Sequence, residues 1–430
     1  MIRQSLIIAV LLCTPPAMAG NANLGAVYQF ARENDAEYAA ARESFKAGQE
    51  KIPQGRAGLL PTVNLGANAR HNESRSNGLT SDYDSRSISL TLTQPIYRKQ
   101  NLETYAQAKI QALLSEQQLQ LAEQKLLLSV AQTYFAVLQA QDVLATAQSQ
   151  KQAFAEQLAQ ARKSFEVGAS TITDTHEAQA RYDLTVAQEI AAMNDLEVKR
   201  RSLEKIINSE SPDLARLVEG VRLTLPEPNN MDAWVKQAEE DSLTVSLNQS
   251  ALESARRDVE RLRAGHLPTL DFAANYSDSR NPSASINSSR GGSIGLEFGW
   301  LLYQGGLVDS RVREALAIQE KSRFELDNAR RQARLDARQG FLGVLSGDAQ
   351  VKALEQALIS SEAQLKSTKL GLEVGVRTRV DVLNAQQQLF TTKRDLAAAR
   401  YQTLVAGLQL KAAAGSLKED DLKAVDALLK

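Results

Sequence analysis

Four segments of the chain alternate apolar and polar residues with a period of two. The alternating apolar residues are Val63, Leu65, Ala67 and Ala69 in the first segment, Ile88, Leu90 and Leu92 in the second, Leu270, Phe272, Ala274 and Tyr276 in the third, and Ile294, Leu296, Phe298 and Trp300 in the fourth. This period is typical of β-strands with one apolar and one polar face. The segments form two pairs, and residues 72–85 and 277–292, rich in Ser, Asn, Gly and Asp, are predicted to be long loops within the pairs.

Long helices are predicted for most of the remaining sequence. Residues 96–211 contain no proline and a single glycine, Gly168, and residues 283–430 contain no proline. Stretches rich in Ala, Leu, Gln, Glu, Lys and Arg without such breakers favour helices. We predict helices over 101–166 and 307–373, each roughly 100 Å long at a rise of about 1.5 Å per residue.

Each long helix is followed by a sharp reversal and a return path. In the first half, the return is predicted as a helix over 171–209, a proline-bearing insertion over 211–230 and a second helix over 233–264. Pro53, before the first strand pair, is predicted to bend its helix because proline removes a backbone hydrogen bond. The chain therefore runs out and back as a helical hairpin rod.

The two halves of the chain share sequence landmarks at a constant offset. Residues 57–62 (Ala-Gly-Leu-Leu-Pro-Thr) recur at 264–269 (Ala-Gly-His-Leu-Pro-Thr), and the Val-Gly pair at 167–168 recurs at 374–375, in both cases 207 positions later. A constant spacing over such a distance indicates that a whole unit was duplicated. We predict these segments: a first repeat at 20–208, an insertion at 209–232, a second repeat at 233–411 and a C-terminal segment at 412–430.

The first 19 residues are typical of an export signal. Arg3 supplies a positive charge, residues 6–12 form a short apolar core, and residues 17–19 (Ala-Met-Ala) fit a cleavage site. Cleavage there would remove Cys13, the only cysteine of the chain. We therefore expect a mature protein without disulfides or thiol chemistry.

Export and alternating strands together indicate a sheet that faces lipid. A short alternation alone more often indicates a soluble antiparallel sheet with one face on a core, but the export signal and the lack of any other predicted element to cover four apolar faces favour lipid contact. Strands of about ten residues fit an outer-membrane β-barrel, and a barrel needs about eight strands, so four strands per chain must be shared among several chains. The residues predicted to face lipid are Val63, Leu65, Ile88, Leu90, Leu92, Leu270, Phe272, Ile294, Leu296, Phe298 and Trp300.

The same alternation predicts the water-facing side of the sheet and its boundaries. Asn68, Asp271 and Glu297 occupy polar positions and are expected to face water. Phe298 is expected near the middle of the bilayer. The aromatic residues Tyr97, Trp300 and Tyr303 fall at strand ends, where aromatic girdles of such barrels lie.

Composition and motifs provide little support for catalysis or cofactor binding. The formal charge of -1 does not suggest nucleic acid as a partner. The three histidines, His71, His176 and His266, show no metal-binding spacing, and no glycine-rich phosphate loop is present. We expect no enzyme activity, no metal and no cofactor.

Several segments resemble the TolC family of outer-membrane channel proteins. They are the residues around Val27-Tyr28 and Asn34-Asp35, the run 53–61, the two Val-Gly-x-x-Thr-x-x-Asp turns and the tail 413–422. The resemblance covers essentially the whole mature chain. It implies a mixed α+β membrane protein that forms a homotrimer, with a twelve-stranded β-barrel in the Gram-negative outer membrane and a long α-helical tunnel through the periplasm. It also implies a periplasmic adaptor and an inner-membrane pump as partners.

The two turns carry local signals of their own. Gly168 and Gly375 stand where a helix ends and favour a positive φ, and Thr171-x-x-Asp174 and Thr378-x-x-Asp381 are typical of capping boxes. Because the turns are the only sharp reversals in the rods, we expect them to dock the adaptor. The docking residues are predicted to be Val167, Gly168, Thr171, Val374, Gly375 and Thr378.

The resemblance further implies a gate at the periplasmic entrance. Thr173 and Asp174 match the first-repeat partners of the family's polar links, Arg377 matches the basic partner, and Asp381 matches one acidic ring. Two positions depart from the family pattern: Leu372 stands where a tyrosine is expected, and Asn384 replaces a second ring aspartate. These departures suggest a gate with fewer links and less charge.

Two alternatives stay open at this point. A soluble periplasmic coiled-coil adaptor or scaffold would explain the helices, but it would not need four alternating strands. Within the channel interpretation, drug efflux and type I protein secretion are equally compatible with the sequence.

Overall fold

The computed structural model of the chain describes residues 22–76, 79–218, 220–221 and 225–430. The predicted export signal at residues 1–19, including Cys13, lies outside the described residues. Along the chain, groups of helices alternate with two strand pairs, and the two strand pairs form one β-sheet.

The sheet has four antiparallel strands in chain order. They are β1 (Thr62–Ser76), β2 (Leu79–Tyr97), β3 (Thr269–Ser283) and β4 (Ile286–Gly299). The long loops predicted over 72–85 and 277–292 were wrong, because the strands continue through most of both segments as paired hairpin arms. Their polar residues lie in a ladder whose backbone groups bond to each other, and this pairing outweighs a loop-like composition.

The helices account for most of the chain. They are α1 (Leu24–Asn34), α2 (Ala36–Gln49), α3 (Lys51–Ala57), α4 (Lys99–Glu166), α5 (Ile172–Ile207), α6 (Met231–Asp241), α7 (Leu243–Arg263), α8 (Leu307–Glu373), α9 (Arg379–Ala413) and α10 (Glu419–Asp426). With 68 and 67 residues, α4 and α8 are each about 100 Å long, as predicted. Within the described parts of the chain, no helix combines the length and the apolar character needed to cross a membrane.

The predicted duplication is visible in the structure. β1 begins at Thr62 and β3 at Thr269, and α4 ends at Glu166 while α8 ends at Glu373. In both halves a strand pair leads into a very long helix, which turns back and packs against its return helix.

Two features of the helices before the strand pairs bear on the prediction. α2 ends at Gln49 and α3 begins at Lys51, with Pro53 in its first turn, so the helix is interrupted near Pro53, while the predicted bend itself stays a prediction. The single helix predicted over 233–264 was wrong, because Ser242 adopts a ψ of 130° and separates α6 from α7. The backbone of Gly415, at a φ of 68°, lies directly against this break, and a side chain there would clash with the Asp241 carbonyl. A contact distant in sequence thus accompanies the interruption.

The main core surrounds the middle of α4. Tyr134 is fully buried, and its hydroxyl lies within hydrogen-bond distance of two carbonyl oxygens, that of Ala215 at 2.8 Å and that of Ala22 at 3.1 Å. Phe135 stacks on Tyr401 of α9 with ring centroids 5.7 Å apart. The N-terminal segment, the insertion and both repeats therefore meet halfway along the rods.

The C-terminal segment closes this middle section. Leu217 of the insertion and Leu429 form an antiparallel bridge, and the backbone N–H of Lys430 donates to the Arg216 carbonyl at 2.8 Å. Asp426 of α10 accepts the backbone N–H of Gly25 at 3.0 Å. The N-terminal segment, the insertion and the C-terminal segment thus pack around the long helices at mid-length. The two turns lie beyond them, at the ends of these helices.

Candidate functional site

The two helix turns have nearly identical backbone geometry. Gly168 and Gly375 have φ values of 71° and 79°. After α8, the N–H of Gly375 donates to Leu372 and that of Val376 to Gly371, and the same pair of bonds closes α4. This is the Schellman arrangement, which satisfies the last carbonyls of a helix and places a left-handed residue after it. The positive φ predicted for both glycines is confirmed.

The return helices begin with the predicted capping boxes. Thr171 accepts the backbone N–H of Asp174, and Thr378 accepts that of Asp381, while each aspartate accepts the N–H of its threonine. The carboxyl of Asp381 accepts hydrogen bonds from the backbone N–H and the hydroxyl of Thr378. These bonds, of which the backbone bond has the larger effect, hold the pKa of the carboxyl below its ordinary value. This cap stabilises the fold above the ordinary pKa of about 3.9, and the contribution is lost as the pH falls through the lower folded-state pKa.

Exposed apolar residues flank the turns. Val167 is 78% exposed and Val374 is 65% exposed. Neither glycine has an atom within 4 Å of the position that a Cβ would take. The turns are thus open surfaces whose shape is set by the backbone.

The predicted gate residues are placed close to the turns. The side chain of Arg377 folds back over Gly371, where a Cβ would come within 2.7 Å of the arginine Cγ. In the described part of the single chain, Arg377 makes no hydrogen bond with Thr173 or Asp174. The capping hydrogen bonds that Asp174 and Asp381 accept all use Oδ2. The link between Arg377 and the first repeat therefore stays a prediction.

Polar contacts that the sequence did not suggest join the two hairpins within one chain. Arg379 of α9 donates to the hydroxyl of Ser164 on α4, and Arg181 of α5 donates to Asn384 of α9 at 3.2 Å. Asn384, noted above as a lost ring charge, is thus the acceptor of an arginine from the other repeat. Residue spacing gives no signal for these pairs, because their members are 203 or more positions apart.

The strand register places the apolar residues predicted within the four strands on one face. Val63, Leu92, Ala274 and Ile294 form one row across the four strands, because each is the direct partner of the next. Most of the residues on this face are exposed, and the exposed fraction reaches 78% at Ile294. Trp300 lies just beyond β4, where its indole N–H donates to the His266 carbonyl. One exposed apolar sheet face therefore exists in the single chain.

Phe298 and Ile294 lie at different distances from the helix-side end of β4. Phe298 lies next to Gly299, the last residue of β4, whereas Ile294 lies four residues further into the strand. If this face contacts lipid, Phe298 belongs to its helix-side border and Ile294 lies nearer to its middle.

The opposite face is polar, with one exception to the predicted exposure. Asn68 and Glu297 are exposed, but Asp271 is only 6% exposed. Arg98, which follows β2, binds both carboxylate oxygens of Asp271 at 2.8 and 2.5 Å. The expectation that Asp271 faces water was wrong, because this residue ties β3 to the start of α4.

The described residues contain no group of three or more His, Cys, Asp or Glu side chains that could hold a metal ion. The residues that the sequence singled out instead occupy the two ends of the rods. One end carries paired helix turns and the other an exposed apolar sheet face. This division is that of a membrane channel with a long helical extension.

Comparison with known proteins agrees with this class. The chain belongs to the outer membrane efflux protein family, whose model matches it twice, at residues 27–209 and 234–416. The two matches start 207 positions apart, the offset between the repeated landmarks.

Named relatives are similar to this chain over nearly its whole length. The chain is 35% identical to the outer membrane protein TolC of Escherichia coli, over 95% of this chain and 85% of that protein. It is 32% identical to the alkaline protease secretion protein AprF of Pseudomonas aeruginosa, over 93% and 86% of the two chains. Among solved structures, the CmeC outer membrane channel of Campylobacter jejuni matches with a TM-score of 0.83 at 16% identity, covering 94% of this chain and 89% of that one.

These findings establish the class of protein. The chain is an outer-membrane exit duct that extends into the periplasm and serves efflux or type I secretion. Channels of this family form trimers, so three copies of the four-stranded sheet build a shared twelve-stranded β-barrel. They work with adaptor proteins and inner-membrane pumps.

Proposed function

We propose that this chain is a passive duct without chemistry of its own, opened at its helix turns by a periplasmic adaptor and supplied with cargo by an inner-membrane pump. The observation that carries the proposal is the matched pair of turns. Both are held by the same backbone bonds, both present exposed valines, and both lie at the ends of helices about 100 Å long. A partner that binds one turn can therefore bind the other in the same way.

The turns are proposed as the docking points of the adaptor. Replacing Gly168 and Gly375 with valine strains a left-handed position that β-branched residues avoid. We expect transport to be lost, while the trimer still assembles in the outer membrane, since the turns are distant from the sheet. Transport can be measured as drug resistance or protein secretion in cells that lack their own duct. Full transport by the double variant would refute docking at the turns.

The gate is proposed to use a link between Arg377 and the first repeat. A guanidinium can hold the Thr173 hydroxyl and the Asp174 carboxylate together, and the unused Oδ1 of Asp174 is a suitable acceptor. At a wet entrance each link contributes about 0–1 kcal/mol, so three copies give a bias that an adaptor can overcome. We expect Arg377→Ser to raise single-channel conductance in planar bilayers.

Asp381 is proposed to set ion preference at the same entrance. A ring of three carboxylates attracts cations and repels anions. We expect Asp381→Asn to weaken cation selectivity and block by divalent cations. Unchanged conductance for Arg377→Ser together with unchanged selectivity for Asp381→Asn would mean that these residues act only at the helix termini.

The exposed apolar face of the sheet is proposed to contact lipid. Its residues share one face by register and have no covering element in the described chain. The polar face would then line the interior of the shared barrel. Fractionation tests this proposal, because a lipid-embedded trimer stays with outer membranes after a salt wash, whereas a periplasmic scaffold is released.

A second candidate is a dedicated role in type I protein secretion. The similarity to the alkaline protease secretion protein AprF favours it, since this relative is almost as similar to the chain as TolC is. Expression in a duct-deficient strain that carries both a drug pump and a protease exporter separates the roles. Restored protease secretion without restored drug resistance would identify the dedicated role.

A further inference from the structure

Two arginines lie side by side on the exposed apolar face of the sheet. Arg86 of β2 and Arg280 of β3 are direct cross-strand partners in the register. Both side chains are exposed, and both lie on the face that carries Ile88 and Tyr276. Like charges placed directly opposite each other destabilise a sheet, so an anion bound between the two side chains would relieve their repulsion.

The neighbouring carboxylates are already engaged. On the same face, Asp278 lies two residues from Arg280 and is bound by Arg290 at 2.8 Å. Asp84 lies two residues from Arg86 and is bound by His71 at 2.9 Å. In the described residues, neither Arg86 nor Arg280 has an ion pair within 4.0 Å.

The height of the pair along the sheet matches a membrane border. From Leu270 at the helix side to Arg280 is ten residues, or roughly 33 Å along a strand. At a strand tilt of about 40° this corresponds to about 25 Å along the membrane normal, the height of the apolar band of such barrels. Charged residues on this face begin with the Asp278–Arg290 pair, two residues nearer to the helices, and continue beyond Arg86 and Arg280 with Asp82 and Glu73.

A neighbouring copy of the chain cannot neutralise the pair. β2 and β3 are the inner strands of the sheet, and a shared barrel closes through β1 and β4. On a lipid-facing outer surface of the barrel, the side chains of Arg86 and Arg280 are therefore accessible to the surroundings of the barrel.

We propose that Arg86 and Arg280 together bind the phosphate group of an outer-leaflet lipid. Arginine binds phosphate through paired N–H donors in a fixed geometry, and two such forks on adjacent strands can hold one phosphate from both sides. The site would fix lipid against the barrel at the outer border of its apolar band. The inference rests on the proposed contact of this face with lipid.

The test compares lipid binding to purified full-length trimers by native mass spectrometry. The probes are diphosphorylated lipid A, the same lipid with its phosphates removed, and sodium phosphate, all in magnesium-free buffer. The double variant Arg86→Gln/Arg280→Gln is expected to bind the diphosphorylated lipid at least tenfold more weakly, equivalent to about 1.4 kcal/mol. Binding of the dephosphorylated lipid should not change.

Two control variants sharpen the comparison. Arg70 lies at almost the same height on the opposite, polar face, where its partner is Ser85, so Arg70→Gln should leave binding unchanged. The double lysine variant keeps the charge but lacks the planar fork and should bind with intermediate affinity. Single-channel recordings with normal conductance will show that each variant is folded.

The outcomes separate this proposal from the duct itself. Equal losses in the Arg70 and the double variant, or no loss in the double variant, would overturn the site while normal conductance leaves the duct intact. Displacement of the lipid by millimolar sodium phosphate would overturn it as well, since the pair would then be a general anion site. Failure of the wild-type protein to form channels would contradict the proposed function, whereas wild-type channels that bind neither lipid would overturn only the site.

Discussion

Single residues in this chain act mainly by fixing the backbone where it reverses or breaks. Gly168 and Gly375 take a conformation that costs other residues about 1–2 kcal/mol. Thr378 and Asp381 then start the next helix by satisfying each other's backbone N–H groups. The same residue types make the same backbone bonds in both repeats, so a few consecutive residues determine the geometry of the turn.

The role of φ at the turn can be isolated with a pair of alanine variants. Gly375 and Gly407 both have open space within 4 Å of the position that a Cβ would take, but only Gly375 has a positive φ. We expect Gly375→Ala to destabilise the turn by about 1–2 kcal/mol, seen as faster amide exchange around residues 372–380. Gly407→Ala, inside α9, should be neutral or stabilising by up to about 1 kcal/mol. Similar exchange rates for both variants would contradict the role of φ.

At the scale of elements, the Arg98–Asp271 fork, in which the guanidinium binds both carboxylate oxygens, joins the sheet to the long helices. Arg98 follows β2 and precedes α4, and it binds Asp271 near the start of β3. The bond therefore fixes where the second repeat's strands meet the first repeat's long helix. The sheet itself presents two unlike faces, and their roles can be tested strand by strand.

The cost of an arginine on the apolar face should depend on depth. We expect Ile294→Arg, near mid-strand, to destabilise the assembled trimer by about 2–4 kcal/mol, and Phe298→Arg, at the strand end, by about 0–1 kcal/mol. Ser293→Arg, adjacent to Ile294 but on the polar face, serves as the control and should be tolerated. Heat dissociation of trimers on gels measures the three values. Equal effects of Ile294→Arg and Ser293→Arg would rule out lipid contact by this face.

The fork between Arg98 and Asp271 should also have a measurable effect. Hydrogen bonds to charged groups contribute about 1.5–3 kcal/mol, so Arg98→Gln should lower the temperature at which trimers dissociate. Arg98→Lys should restore only part of the loss, because a single ammonium cannot hold both oxygens in the same geometry. Arg263→Gln breaks an exposed pair with Glu260 and is expected to have little effect. Wild-type behaviour of Arg98→Gln would show that the fork is dispensable.

At the scale of the whole molecule, the single chain is incomplete. β1 and β4 are the edges of a four-stranded sheet, and unpaired edges within a membrane are not tolerated. The family's trimer resolves this, since three sheets close into one barrel when β1 of one copy pairs with β4 of the next.

Cysteine cross-linking tests this closure directly. Cys13 is the only cysteine of the chain and lies in the predicted export signal, so introduced pairs would have no competing thiols. With one cysteine in β1 and one in β4, scanned over several registers around Asn64 and Ser293, we expect covalent trimers in denaturing gels. Pairs placed in β1 and β2 should link only within a chain and leave monomers. Monomers alone in every β1–β4 combination would contradict the shared barrel.

Sequence by itself determined the features that arise from residues close together in the chain. Helix lengths followed from breaker-free stretches, the positive φ at Gly168 and Gly375 from their place after a helix, and the apolar sheet face from a period of two. The tertiary structure alone decided what depends on distant residues. A helix is interrupted at Ser242, where the backbone of Gly415 lies against it. Asp271 is buried because Arg98 binds its carboxylate. Asn384 accepts a hydrogen bond from Arg181 of the other repeat. Local patterns repeat and can be read along the chain, whereas these contacts depend on how two rods pack, which no local pattern encodes.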